Sequence, residues 1–250
     1  MLNLNKLKEL VFDILFPPLC LICKTHLPQL EKERGICGNC FSKITIHSTL
    51  FCGVCRARLP ENKKICHKKS FYLLGAATNY DEITKNIIHQ FKYQYWTRLK
   101  NILEDILKIY LENLQPGPNP FSSKGGSTFG GKKYIIIPIP LYKDREKERG
   151  FNQAEILGKI ISQILSLPME NKILARIKET QSQAKLKNWE LRKENLKGSF
   201  EIKNPEKIRN ANIILVDDVY TSGATINEAA KILKENKVKK IIAIVITKTR

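Results

Sequence analysis

The chain has 250 residues, 43 Lys and Arg against 24 Asp and Glu, a net charge of +19 and seven cysteines. That length holds one full α/β domain with a small accessory module, and no apolar run reaches the roughly 20 residues a membrane span needs. The basic excess suits an anionic partner or reflects a lysine-rich background, and charge alone does not separate the two.

Residues 1–16 carry Lys6, Lys8, Glu9 and Asp13 among apolar neighbours. They read as a short amphipathic helix stopped by Pro17-Pro18, not as a secretory signal. A cytoplasmic setting follows, with reduced or metal-bound cysteines. All seven lie in the first 66 residues, as Cys20-x2-Cys23, Cys37-x2-Cys40, Cys52-x2-Cys55 and a single Cys66. One Cys-x2-Cys knuckle puts two thiolates on a tight turn, and two knuckles complete a tetrahedral zinc site. Cys20, Cys23, Cys37 and Cys40 are therefore expected to hold one structural zinc, which supplies folding free energy to a segment too small for its own core. For the second set, Cys52, Cys55 and Cys66, a fourth thiolate would stand at position 69, which is Lys69. His67 is next to Cys66, an awkward geometry, and His47 is the other nearby candidate. The spacing predicts a degenerate or weakly binding second ribbon, and it leaves an interleaved pairing of knuckles open. The ribbon module is taken as 1–70 and the main domain as 71–250.

Residues 71–80 suit a strand, 81–93 a helix with Ile83, Ile87, Ile88 and Phe91 on one side, and 99–114 a strongly apolar helix. Phe91, Tyr93, Tyr95, Trp96, Arg98 and Lys100 offer either a stacking and charged surface for single strands or a helix end filling the core. Residues 115–133 form a Gly-, Pro- and Ser-rich loop. Its Gly126-x4-Gly131-Lys132 imitates a phosphate-loop motif, but Lys133 stands where Ser or Thr is required and a strand follows instead of preceding it. A buried strand at 134–137 ends in Pro138-Ile-Pro140-Leu141. The run Lys143-Asp-Arg145-Glu-Lys147-Glu-Arg149-Gly150-Phe151-Asn152-Gln153 then opens a helix to about Ser166, its arginines suited to polyphosphate. Residues 172–177 give a further strand, and 180–195 are polar and basic, a lid or a short exposed helix. Residues 240–246 form the last buried strand. Strands alternating with helices over 134–246 predict a doubly wound, mostly parallel sheet, an α/β fold.

The most telling stretch is Ile213-Ile-Leu-Val-Asp217-Asp218-Val-Tyr-Thr221-Ser-Gly-Ala-Thr225. Residues 213–216 read as a strand buried on both faces, with two carboxylates at its C-terminal end, where open α/β sheets bind ligands. A turn of small residues then opens a helix with Ile226, Ala229, Ala230 and Leu233 on one face. Amides at a helix start make a phosphate socket. The pattern resembles the 5-phosphoribosyl 1-pyrophosphate (PRPP) signature of type I phosphoribosyltransferases. Asp217 and Asp218 would hold the ribose hydroxyls and stabilise positive charge at C1′, and Tyr220, Thr221, Ser222, Gly223, Ala224 and Thr225 would form the phosphate socket. Magnesium would neutralise the pyrophosphate, with Pro140, Leu141, Arg145 and Arg149 beside it and Lys185, Lys187 and Arg192 closing as a lid. A threonine, Thr221, stands where hypoxanthine–guanine-type relatives carry an aspartate, which disfavours oxopurine acceptors.

Leu15-Phe16-Pro17-Pro18-x-Cys20, the paired knuckles, Phe91-Lys92-Tyr93, Pro138-x-Pro140-Leu141, Arg149-Gly150-Phe151-Asn152-Gln153, Gln183…Leu186…Arg192…Asn195 and the 213–225 stretch occur in one order. That order resembles the ComF (competence protein F, ComFC) family nearly end to end. The resemblance implies a double zinc ribbon joined to a type I phosphoribosyltransferase fold. It further implies a cytoplasmic role in natural transformation, handling single-stranded DNA with a ComFA-like helicase or a DprA-like protein. The alternative is a metabolic phosphoribosyltransferase or PRPP-sensing regulator with an unknown small acceptor.

Overall fold

A computed structural model describes residues 13, 16–59, 66–67, 70–93, 96–114, 134–179 and 196–249. They form two compact units, one of Met1–Thr45 with Asp81–Asp105, the other of Ile46–Tyr80 with Ile106–Arg250. Among the described residues, no helix is long and apolar enough to cross a membrane.

The first unit carries α1 (Gln29–Lys32), α2 (Gly38–Ser42), α3 (Glu82–Tyr93) and the start of α4 (Trp96–Asn113). A reciprocal cap opens α3: Thr84 N donates to Asp81 Oδ1 at 2.9 Å, and Asp81 N to Thr84 Oγ1 at 3.0 Å. Ile87, Ile88 and Phe91 are buried, as the 3.6-residue period requires. Arg34 Nε meets Asp105 Oδ2 at 2.7 Å and Asn101 Nδ2 donates to Glu33 O at 2.8 Å, fastening the chain before the second knuckle to α4.

The second unit contains β1 (Phe51–Cys52), β2 (Leu73–Asn79), β3 (Tyr134–Pro138), α5 (Lys143–Arg149), α6 (Gln153–Leu165), β4 (Leu174–Arg176), β5 (Phe200–Ile202), β6 (Asn212–Tyr220), α7 (Ala224–Glu235) and β7 (Lys240–Lys248). Its main sheet runs β1-β2-β7-β6-β3, parallel except for β1. Residues 213–216 and 241–246 are at most 1% exposed, the mark of strands covered on both faces. On α7, Ile226, Ala229, Ala230 and Leu233 are the buried residues. Covering Ile226 and Leu233 contributes roughly 1.5–3 kcal/mol each.

Three local expectations need correction. The strand expected over 213–216 continues to Tyr220, because β7 is equally long and pairs with it through Asp217↔Val245 and Tyr220↔Lys248. The helix expected from Lys143 to about Ser166 is two helices. Gly150, at φ +76, closes α5, and Asn152 caps α6 by accepting the Ala154 N–H at 3.0 Å. The strand expected over 172–177 stays out of the parallel sheet and pairs antiparallel with β5. The open side of β3 is instead met by residues 168–170, with Ile136 N donating to Pro168 O and Glu170 N to Ile136 O, each at 2.9 Å.

Candidate functional site

The C-terminal end of β6 gathers the polar groups. Alternation along the strand leaves Asp217 and Val219 half-exposed and buries Asp218 and Tyr220. Asp217 Oδ1 accepts the Asp218 N–H at 2.9 Å, and Asp218 Oδ1 the Val219 N–H at 2.8 Å, so each carboxylate is steadied by the next amide. The chain then turns through Thr221, Ser222 and Gly223 into α7. Gly223 holds φ +77 at the N-cap, and a Cβ there would collide with the Tyr220 hydroxyl. No N-cap side chain bonds to the helix start, while Ser222 Oγ accepts the Ala224 N–H at 3.3 Å. The dipole and first-turn amides of such a helix favour an anion.

This loop is braced through its carbonyls. Thr249 N donates to Tyr220 O at 2.9 Å and Thr249 Oγ1 to Thr221 O at 3.3 Å. Arg56 Nη2 donates to Ser222 O at 3.3 Å, with its guanidinium 5.3 Å from the centre of the Tyr220 ring. The Tyr220 hydroxyl lies 3.0 Å from that of Tyr72 and donates to Gly53 O at 3.4 Å. The Tyr220 side chain, expected among the socket residues, is thus buried and engaged with the protein itself. Burial, reinforced by Tyr220, pushes the Tyr72 phenol above its ordinary pKa.

In α5 the lysines and acids are exposed, while Arg145 and Arg149, four residues apart on one face, are half-buried. Arg149 Nη1 donates to Gln153 Oε1 at 3.1 Å, and Asn152 Nδ2 to Ile139 O at 3.1 Å, tying the start of α6 to the loop after β3. Pro140 and Leu141 in that loop are half-buried. Arg176, closing β4, shares its surroundings with Arg145 and Asp217. Burial chiefly lowers its pKa to about 10; the charge of Arg145 adds to the shift and Asp217 opposes it. Its guanidinium lies 5.6 Å from the centre of the Phe200 ring. Two guanidiniums that share the surroundings of the half-exposed Asp217 give this end of the sheet a cationic character suited to a phosphate or pyrophosphate. Sequence reasoning missed Arg176, since a lone basic residue at the end of a short strand carries no motif. It also missed Arg56, which follows a cysteine in a position better suited to glycine.

The thiols form two clusters. Cys20, Cys23, Cys37 and Cys40 bring their Sγ atoms within 4.8 Å of one another, so the first two knuckles pair without interleaving. Cys52, Cys55 and Cys66 do the same with His67. Donor separations include 3.6 Å for Cys23–Cys37, 3.3 Å for Cys55–Cys66, and 3.1 and 3.5 Å from His67 Nδ1 to Cys66 and Cys52. Donors around one zinc stand about 3.3–3.8 Å apart, so both sets fit that ion. Amides support the sulfurs, with Cys37 N donating to Cys20, Cys40 N to Cys37 and Val54 N to Cys52, each at 3.4 Å. The bond to the Thr25 hydroxyl brings Cys23 down to about 6, and burial pushes Cys40 up to about 12. In the second cluster burial works against ionising Cys52, yet the Cys55 amide and the Cys66 thiol bring it to about 6, while that same bond to Cys52 pushes Cys66 up to about 12. Thiolates gathered this closely are stabilised by a bound cation.

The fourth donor expected at Lys69 is thus offered by His67. His47 is engaged elsewhere: its Nδ1 accepts from Arg58 Nη2 at 3.3 Å, which leaves Nε2–H to donate to Asn79 Oδ1 at 3.2 Å. Phe91 is fully buried and fills the core instead of a stacking surface. The side chains of Tyr93, Tyr95, Trp96 and Arg98 lie outside the described residues, as do Lys69, Lys185, Lys187, Arg192 and the 115–133 loop.

Residues 152–250 match the family model of the phosphoribosyl transferase domain, and residues 11–70 that of the double zinc ribbon domain. Over 242 residues the chain is 29% identical to "Competence protein ComFC" of Bacillus subtilis, covering 87% of this chain and 89% of that protein. Over 230 residues it is 30% identical to "Competence protein F" of Haemophilus influenzae, covering 89% and 93%. Over 225 residues it is 26% identical to "DNA utilization protein YhgH" of Escherichia coli K12, covering 88% and 92%. Likeness that runs through ribbon and sheet alike, along nearly the whole of each relative, makes this chain a member of the ComF family, a double zinc ribbon joined to a phosphoribosyltransferase domain.

Proposed function

We propose that the loop at the end of β6 binds PRPP, and that the protein acts in the cytoplasm in DNA uptake, handling incoming single strands. The observation that carries the reading is the junction of β6 and α7, where Asp217 and Asp218 precede a left-handed Gly223 at the start of the helix. In this reading the amides of residues 221–225 hold the 5′-phosphate. Asp217, from the more exposed position, and Asp218 accept from the ribose hydroxyls and favour positive charge at C1′ as the pyrophosphate leaves. Arg145, Arg149 and Arg176 face the pyrophosphate. Oxygen donors such as Asp217 and Asp218 suit magnesium, which supplies charge neutralisation for the diphosphate. Thr221 provides no carboxylate to handle an oxopurine proton, so the acceptor belongs to another class.

The DNA role draws on the relatives' names, competence and DNA utilization proteins, and on the net charge of +19. Both thiolate clusters hold zinc in this reading, His67 completing the second. A ComFA-like helicase and a DprA-like protein are the expected partners.

Calorimetric titration with PRPP, with and without magnesium, tests the site. Exchanging both Asp217 and Asp218 for Asn is expected to weaken binding about 10–100-fold, as loss of charged hydrogen bonds does, with no loss of thermal stability. An unchanged affinity removes the assignment. For the DNA role, log affinity for an oligonucleotide should fall steeply with log salt, and negligible affinity at low salt removes it.

A further inference from the structure

The third knuckle, Cys52-x2-Cys55, is built into the floor of the loop that follows β6. Cys52 ends β1, which pairs with β2 through Cys52↔Leu73, and the turn closes with Arg56 N donating to Cys52 O at 2.9 Å. Gly53 is pressed against β2's lead-in, since a Cβ there would lie 2.6 Å from Tyr72 O. From this turn Gly53 O receives the Tyr220 hydroxyl, and Arg56 reaches across 166 residues of sequence to Ser222 O.

The first knuckle supplies a comparison within the same chain. It closes in the same way, with Lys24 N donating to Cys20 O at 3.0 Å. Lys24 and Arg56 occupy equivalent left-handed positions, φ +61 and +60, where a side chain is strained and glycine is favoured. Lys24 Nζ returns to Leu21 O at 3.0 Å within its own turn. Arg56 alone of the two spends its side chain on a distant loop.

We propose that Arg56 is a positioning residue for the loop of residues 220–225, and that metal at Cys52, Cys55, Cys66 and His67 thereby sets how well that loop holds a sugar phosphate. The metal fixes the knuckle, the knuckle aims Arg56 and Gly53 O, and these two hold the Ser222 carbonyl and the Tyr220 ring. The loop amides then need no rearrangement when a phosphate arrives. Loss of the second metal loosens the loop without touching its own residues. The ligand half of this inference rests on the PRPP reading; the coupling between knuckle and loop does not.

Arg56→Gly removes the guanidinium while easing the backbone at φ +60, so the knuckle keeps its fold. Three quantities are read on the full chain: zinc content by elemental analysis, hydrogen exchange of amides 220–227 without ligand, and PRPP affinity by calorimetry. Arg56→Gly should keep the wild-type zinc content, exchange the loop amides about tenfold faster and bind PRPP about tenfold more weakly. Cys66→Ser should lose one zinc and show the same two changes. Wild-type loop exchange and affinity in Arg56→Gly overturn the proposal, as does a zinc-depleted Cys66→Ser protein with an unaltered loop. Absence of PRPP binding in the wild type counts against the ligand, and loop exchange then decides the coupling.

Discussion

Gly223→Ala isolates the physics of the loop. At φ +77 an added Cβ costs about 1–2 kcal/mol in backbone strain. It would also meet Tyr220, with Cζ at 2.5 Å and Cε2 at 2.9 Å. The ring cannot step aside cheaply, since its hydroxyl is bonded toward Tyr72 and Gly53 and Arg56 covers its face. Overpacking of that kind costs about 1–3 kcal/mol, while the stiffer unfolded chain returns up to about 1 kcal/mol. A net loss near 2.5 kcal/mol lowers Tm by about 5–10 °C in a chain of this size. Gly150 supplies the control, because it has φ +76 with nothing within 4 Å of its would-be Cβ. Gly150→Ala should show the strain alone, about 1 kcal/mol once the unfolded-chain effect is included. Urea unfolding of the two variants therefore reads the Tyr220 contact as a difference. Equal losses in both would show that the contact carries nothing, and wild-type stability in Gly223→Ala would refute the whole account.

Elemental analysis of protein purified without chelator should give close to two zinc ions per chain, and His67→Ala should bring it to about one; a wild-type value near one would remove His67 as a ligand. The pKa of His47 is lowered from 6.5, chiefly by burial, so the unfolded chain takes up its proton first. The stability His47 contributes is complete above about pH 6.5 and is lost as pH falls through its lower folded value. His47→Gln should flatten the stability profile between about pH 8 and pH 5, and an unchanged slope would show that the buried ring does not matter.

The strongest signals in the sequence were those with a period or a fixed spacing. The apolar run at 213–216 and the 3.6-residue stripe Ile226, Ala229, Ala230 and Leu233 stand in the core as expected. What escaped depends on neighbours far along the chain. Where β6 ends is decided by the length of β7, and two adjacent aspartates do not stop a strand that has a partner beside it. Gly150 and Asn152 are ordinary stop and start signals, hidden inside a charge run that reads as one continuous helix. His67 stands beside Cys66, a spacing that reads as awkward for two ligands of one ion, and only the folded chain shows both donors within reach of Cys52 and Cys55. Arg176 and Arg56 act through tertiary placement that no local pattern records.

A loop made of Thr221, Ser222, Gly223, Ala224 and Thr225 poses a mechanical problem. Small residues leave the amides accessible to a phosphate, but they bury almost nothing, so the loop cannot fix its own shape through packing. Its order has to come from groups that grip the backbone while leaving the amide side clear. The contacts found are of that kind: Thr249 holds the carbonyls of residues 220 and 221, and Arg56 holds that of 222. Tyr220 completes the support, its ring occupying the space a side chain at 223 would need. One brace comes from Thr249, the residue after the last strand, and the other from a cysteine knuckle in the first quarter of the chain. The ribbon therefore does more than accompany the sheet. It supplies part of the rigidity that a loop of small residues lacks, and this is why a change at Arg56, in the knuckle, should be felt at Ser222.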